Sequence, residues 1–290
     1  MALSSLHSLN LRQSPKISDQ EFQELRDFIY SSTGIDIPAR RKYLLETRLG
    51  KRLSELGLKT YADYYKHLRF ARNKNEEMDK LFEQVTTNET SFFRDIKQLE
   101  VFQNFVLKET LEKQQATKDI HIWSAGCSSG EEPYTLGIYL HEALRMGVMS
   151  WKARISASDL SPAVLSKARQ GLYGDYSFKT TQPDMLARYF TKEPGGYRIH
   201  PKVQKLVQFS QINLNDKLAI KRIPKSHIIF CRNVIIYFDD EMKKRVLDSF
   251  YDNLLPGGYL VLGHSESVHK LTRAFKPVIK IGGVVYRKEE

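Results

Sequence analysis

Between residues 18 and 85 the apolar positions recur at helical spacing, and no alternating apolar run interrupts them. Ser18 and Glu21 form a Ser-x-x-Glu capping box ahead of Phe22, Leu25, Phe28 and Ile29, which share one face, and Gly34 stops that helix. A second helix is expected from about Arg40 to Leu56, with Leu44, Leu45, Leu49 and Leu53 apolar. Thr60 opens a third, carrying Tyr61, Tyr64 and Leu68, and residues from about 75 to 85 make a fourth. Residues 1–16 read as a polar arm. Short helices on short turns predict a small all-helical domain over residues 1–85.

The pattern then changes. Short apolar runs at 119–126, 154–159, 207–214, 227–233 and 259–265 read as strands, and amphipathic helical stretches lie between them. The helix over 239–255 is expected to stop at the Pro256-Gly257-Gly258 turn. Strand and helix alternate, so residues 86–290 are read as an α/β domain built on a doubly wound, mostly parallel sheet. The run over 275–288 alternates around Gly282-Gly283 and predicts a terminal hairpin, adding antiparallel strands at one end. Residues of about 173–205 break the alternation with a short helix and a hairpin about Pro194-Gly195-Gly196, and read as an inserted β-subdomain.

Charge sharpens this picture without settling it. Of 290 residues, 45 are Lys or Arg and 34 Asp or Glu, a net charge of +11 that favours an acidic partner: nucleic acid, an anionic membrane or an acidic protein. Hydrophobic residues at 41% argue against disorder, and no run approaches the roughly 18 apolar residues of a membrane span. The first residues lack a signal-peptide core. The only cysteines, Cys127 and Cys231, cannot build a disulfide scaffold or a four-cysteine zinc site, and fit a reducing, cytoplasmic setting. No metal site is expected.

In an open α/β sheet, ligands bind beyond the carboxyl ends of the strands. The first such end reads Ser124-Ala125-Gly126-Cys127-Ser128-Ser129-Gly130-Glu131-Glu132, small residues that let a ligand approach the backbone. It departs from the G-x-G-x-x-G dinucleotide pattern, and two glutamates stand where a pyrophosphate would sit. A cationic, nucleoside-bearing ligand fits better. A tight turn with capping glutamates is the plainer alternative. Asp159, ending the second strand, is placed to accept from ribose hydroxyls, although it could equally cap the next helix. Arg232-Asn233 ends a later strand, with Tyr237 nearby, and Asn213-Leu214 could offer an amide to an adenine edge.

The pieces TTNETSFFRD (86–95), IWSAGCSSGEEPYTLG (122–137), ASDLSPAVLSKARQGLY (157–173), INL (212–214), IIFCRNVIIYF (228–238) and LPGGYLVLGHSES (255–267) together resemble the chemotaxis receptor glutamate methyltransferases, the CheR family. The resemblance covers nearly the whole chain. It implies a Rossmann-like class I methyltransferase domain, S-adenosylmethionine as methyl donor with S-adenosylhomocysteine as product, and chemoreceptor glutamates as acceptors. It places Asn88, Thr90 and Arg94 at the cofactor, where the residues alone read only as a polar helix end. Glu132 and Asp159 would hold the cofactor's amino group and ribose, Asn213-Leu214 would border adenine, and Arg232-Asn233 would line the methionine end. Tyr237 would stand near the transferable methyl, and Arg94 would orient the acceptor carboxylate.

Arg41, Arg48 and Arg52 recur on one side of the second helix, away from the leucines, and are expected to guide an acidic receptor; a plain solvated basic face is the alternative. Some family members hold a C-terminal receptor peptide on the inserted subdomain. The connection here, Thr191 to Gly196, is short, so no such tether is expected. Two rival functions remain. A nucleic-acid methyltransferase that modifies amines would carry an Asp/Asn-Pro-Pro-aromatic loop where Arg232-Asn233-Val234-Ile235 stands. A non-catalytic receptor adaptor would not need the carboxylates and Tyr237 intact.

Overall fold

The computed structural model describes residues 15–290, and most of the expected polar arm lies outside them. Helix α1 (Asp19–Thr33) begins at the capping box: Ser18 N–H donates to Glu21 at 2.9 Å, and Glu21 N–H donates back to the Ser18 hydroxyl at 3.2 Å. Helices α2 (Lys42–Leu56), α3 (Tyr61–Phe70) and α4 (Lys74–Val85) follow, with Leu45, Leu49, Leu53, Tyr61, Tyr64 and Leu81 buried among them. Contacts gather the described residues up to Tyr30 with Ile37–Val85 into one unit, and Ser31–Asp36 with Thr86–Glu290 into a second. Ser31–Asp36 falls in the second unit because Ile35 bridges to Phe238 and Asp36 N–H donates to the Tyr237 carbonyl at 2.9 Å.

Arg48 and Arg52 depart from the expectation of a free basic face. Arg48 donates to the carbonyls of Gln84 and Val85 at 3.2 and 3.0 Å, capping the end of α4. Arg52 grips the buried Glu77 with two bonds of 2.8 and 2.6 Å, and also reaches Glu55 at 2.8 Å. Tyr64 donates a further bond to Glu77. Burial alone would raise the Glu77 pKa; the Arg52 and Tyr64 bonds outweigh it and hold the carboxyl below its usual range. A helical wheel places these arginines on one side of α2 but cannot show that α4 lies against that side. Arg41 is exposed.

After α4 the chain enters the second unit's main span through an irregular segment, residues 86–95, and not the polar helix end its residues suggested. Helix α5 (Ile96–Val101) then runs through a π-helical stretch, Phe102–Leu107, into α6 (Lys108–Lys113). Next come β1 (Asp119–Ala125), α7 (Glu131–Leu144), β2 (Lys152–Asp159), α8 (Pro162–Gln170), β3 (Leu172–Tyr173), α9 (Pro183–Tyr189), β4 (Phe190–Glu193) and β5 (Gly196–Ile199). The chain finishes with α10 (Pro201–Gln204), β6 (Val207–Gln211), α11 (Lys217–Ile220), β7 (Ser226–Cys231), α12 (Asp240–Asn253), β8 (Leu254–Leu262), β9 (Phe275–Lys280) and β10 (Gly283–Lys288).

The main sheet has the order β6-β2-β1-β7-β8-β10-β9. Its first five strands are parallel, and β10 and β9 close one edge antiparallel, as the alternation around Gly282-Gly283 predicts. The strand order reverses between β1 and β7, which makes their carboxyl ends the switch point where a ligand crevice opens. The 173–205 region supplies β4 and β5, which with β3 make a separate three-stranded sheet. Pro256-Gly257-Gly258 differs from the expected helix stop. The helix ends at Asn253, and the three residues lie inside β8, where Ser226 pairs with Leu254 but Ile228 with Tyr259. The extra residues form a bulge opposite His227. Among the described residues, no helix is long and apolar enough to cross a membrane.

Candidate active site

The strand ends at the switch point are shaped by backbone that most side chains would obstruct. Gly126 follows β1 with φ +76°, and a Cβ there would lie 2.4 Å from Val234 Cγ2. Gly130 precedes α7 with φ +97°, and a Cβ there would sit 2.8 Å from the Ala168 Cβ. Between them, Ser128 N–H donates to Asp159 at 2.8 Å, and its hydroxyl donates to the Asn88 carbonyl at 3.0 Å. The first loop is thereby tied both to the end of β2 and to residues 86–95.

Residues 86–95 are held in place by two aromatic anchors. Phe92 stacks on Phe178 with centroids 5.1 Å apart, and its N–H donates to the Ser177 carbonyl at 2.8 Å. Phe93 is buried, and its N–H donates to the Thr135 hydroxyl at 3.2 Å. Asn88, Thr90 and Arg94, around these anchors, line a cleft with Gly126, Cys127, Ser128, Glu132, Asp159, Arg232 and Asn233. The cleft is narrow, with a cavity of about 60 Å³ that opens to solvent.

The glutamates that open α7 divide their work. Glu131 turns away, accepting from the hydroxyls of Ser129 and Ser177 at 2.7 and 3.0 Å. Glu132 faces the cleft, accepting from Ser124 at 2.8 Å and from Arg232 at 3.3 Å. Arg232 is almost wholly enclosed: it also donates to Gln98 at 2.7 Å and to the Arg94 carbonyl at 2.8 Å, with Asp95 at 3.6 Å. Burial raises the Glu132 pKa against the pull of Arg232 and Ser124. Burial likewise raises that of Asp159 against the backbone N–H groups of Ser161, Ser128 and Leu160. The Cys127 thiol is pushed well above its usual range by burial, then by Asp159 and Glu132.

Asp159 accepts from Ser128 N–H on one oxygen and from Ser161 N–H on the other, with Leu160 N–H also directed at it, and keeps lone pairs for hydroxyls. Two desolvated carboxylates with a partly neutralised arginine form an environment that a bound cation relieves. These residues fit a ligand carrying a ribose, an ammonium and a sulfonium. Asn213 and Leu214 stand apart, lining a second hollow with Ser32, Met242 and Arg245. Asn213 donates to the Ser32 carbonyl at 2.6 Å, while Ile212 N–H reaches the Asp159 carbonyl at 3.0 Å, so that loop starts one bond from the cleft. Tyr237 is half-buried and lines neither hollow.

One residue escaped the sequence reading. Glu266, buried in the loop after β8, accepts backbone N–H bonds from Asn233 (2.8 Å), Val234 (2.9 Å), Ile236 (3.3 Å) and Gly263 (2.7 Å). It holds the 233–236 loop, in which Asn233 has φ +60°. A glutamate among Gly, His and Ser carries no periodic signal, and three of its four donors come from a loop distant in sequence.

Two family descriptions match this chain: "CheR methyltransferase, all-alpha domain" over residues 20–86, and "CheR methyltransferase, SAM binding domain" over residues 88–281. Chemotaxis protein methyltransferase 2 of Vibrio cholerae serotype O1 is 36% identical over 89% of both chains. Chemotaxis protein methyltransferase 1 of Pseudomonas aeruginosa is 35% identical over 93% of this chain and 98% of its own. The chemotaxis protein methyltransferase of Salmonella typhimurium is 35% identical over 92% and 90%.

Proposed function

This chain belongs to the CheR family of S-adenosylmethionine-dependent methyltransferases, and from that premise we propose that it esterifies glutamate side chains on the helical cytoplasmic region of chemoreceptors. The observation that carries the reading is the pair of carboxylates at the carboxyl ends of the strands, the buried Asp159 and the largely enclosed Glu132, with Arg94 at the same cleft. Asp159 accepts from the ribose hydroxyls and Glu132 from the ammonium. Asn88, Thr90, Arg232 and Asn233 complete the cofactor's surroundings, and Asn213-Leu214 border its adenine. When bound, S-adenosylmethionine supplies an electrophilic methyl on a sulfonium.

The chemistry asks little proton transfer of the protein. An acceptor glutamate is ionised at neutral pH and attacks with its own lone pair, so no general base is needed. Arg94 orients that carboxylate. Charge vanishes along the reaction, so exclusion of water and alignment supply most of the acceleration. Arg41, exposed on the helical unit, is the arginine of the expected set left to meet an acidic receptor. The loop Arg232-Asn233-Val234-Ile235 lacks the proline pair that amine-methylating nucleic-acid enzymes use, which disfavours that reading.

Transfer of tritiated methyl to a receptor cytoplasmic fragment tests the proposal. Label on glutamate that mild alkali releases as methanol is expected. Alkali-stable label, label on DNA instead, or cofactor binding without transfer would refute it.

A further inference from the structure

The β9–β10 edge of the main sheet carries a hollow that the cleft does not use. Its cavity is about 910 Å³, lined by residues 267–273 of the loop after β8, by β9 and β10, and by Lys244 of α12. Val268, Leu271 and Ile279 give it an apolar lining, and Lys244, Lys270 and Arg273 contribute cations with no carboxylate among the lining residues. Among the described residues, no ion pair engages these three cations. Ile279 is 78% exposed, unusual for an isoleucine with nothing on it.

We propose that this groove docks an acidic amphipathic helix, with carboxylates meeting Lys244, Lys270 and Arg273 and an apolar stripe meeting Leu271 and Ile279. The lining selects the class of partner. A single-stranded nucleic acid would need cations with exposed rings to stack upon, whereas Phe275 and Tyr286 are buried in the groove's floor. Charged rims around an apolar floor are the usual means of seating an amphipathic helix.

Resting on the proposed function, we identify this helix as part of the receptor substrate. The loop that lines the groove is continuous with the wall of the cleft: Glu266 fixes Asn233 and Val234 on one side, and Val268 enters the groove two residues later. His264, in the same loop, lies 3.5 Å from Asp95, next to Arg94. A helix in the groove therefore sits beside the mouth through which an acceptor glutamate must enter.

Binding is read separately from catalysis. A fluorescein-labelled peptide copying a glutamate-bearing receptor helix is titrated with wild-type protein, with Lys270→Glu/Arg273→Glu and with the milder Lys270→Gln/Arg273→Gln. The reversed variant should bind at least about tenfold more weakly, the neutral one by less, and the wild-type affinity should fall with salt. Cofactor affinity by calorimetry should stay unchanged in both. Equal peptide binding by wild type and both variants, no binding by wild type, or a loss seen only with anionic vesicles or duplex DNA would overturn the proposal. If the variants lose the peptide while wild type transfers no methyl to receptor, the groove stands and the proposed activity falls.

Discussion

Replacing Arg52 by methionine should destabilise the helical unit by about 3 kcal/mol, the lower end of the cost of stranding one partner of a buried ion pair. Glu77 is 1% exposed and Arg52 19%, so the pair is poorly screened. Arg52→Met removes both short bonds to Glu77, but Tyr64 still donates its hydroxyl at 2.8 Å, which keeps the estimate low in the range. Arg52→Met/Glu77→Met should recover about 2 kcal/mol, because only the Tyr64 hydroxyl is left unpaired, at a cost of about 1 kcal/mol. Far-UV ellipticity in urea is the right assay: Trp123 and Trp151 both lie in the second unit and would not report the helical one. The sign with pH follows from Glu77, whose folded pKa is depressed. Its contribution is present above the unfolded value of about 4.3 and lost as pH falls through the folded value, so wild type and Arg52→Met should converge in acid. A loss below about 1 kcal/mol, or a double variant no more stable than the single, would refute this account of the pair.

Three further outcomes are expected. Asp159→Asn should weaken S-adenosylmethionine by about 2–3 kcal/mol in calorimetry, and should also cost stability, because it disturbs the bonds from Ser128 and Ser161. Since burial raises the pKa of both Asp159 and Glu132, wild-type cofactor affinity should fall on acidification before ordinary carboxylates protonate; a profile that falls only where ordinary carboxylates titrate would exclude them as ligands. Glu266→Gln should lower kcat/KM by about 10–100-fold through the misplaced 233–236 loop, and full activity would remove it as a positioning residue. C-terminal receptor peptides should show no useful affinity, because the Pro194-Gly195 turn joining β4 and β5 offers little backbone to clasp one; a micromolar Kd would reverse this.

The alternation of strand and helix made the sheet legible, and the capping box and Gly34 marked the ends of the first helix, because each is a local signal. The helical run from Ile96 to Lys113 was not anticipated. Its π-helical stretch shifts the phase of the buried positions, so Phe102, Val106, Leu107 and Leu111 drift from one face of a regular helix. Asn88, Thr90 and Arg94 were reachable only through resemblance, since an irregular segment pinned by Phe92 and Phe93 has no periodicity to read. Glu266 and the engagement of Arg48 and Arg52 depend on what packs opposite them, which single-chain spacing does not encode.

Cys127 brings a thiol to the wall of a cleft built for an electrophile. A thiolate there would compete with the acceptor for the methyl and leave the protein permanently S-methylated. Burial and the neighbouring carboxylates push that thiol well above its usual range, so the anions proposed to hold the cofactor would also protect the protein from it. Its intact mass should therefore stay unchanged through long incubation with S-adenosylmethionine, and a gain of one methyl at Cys127 would show the protection to be absent.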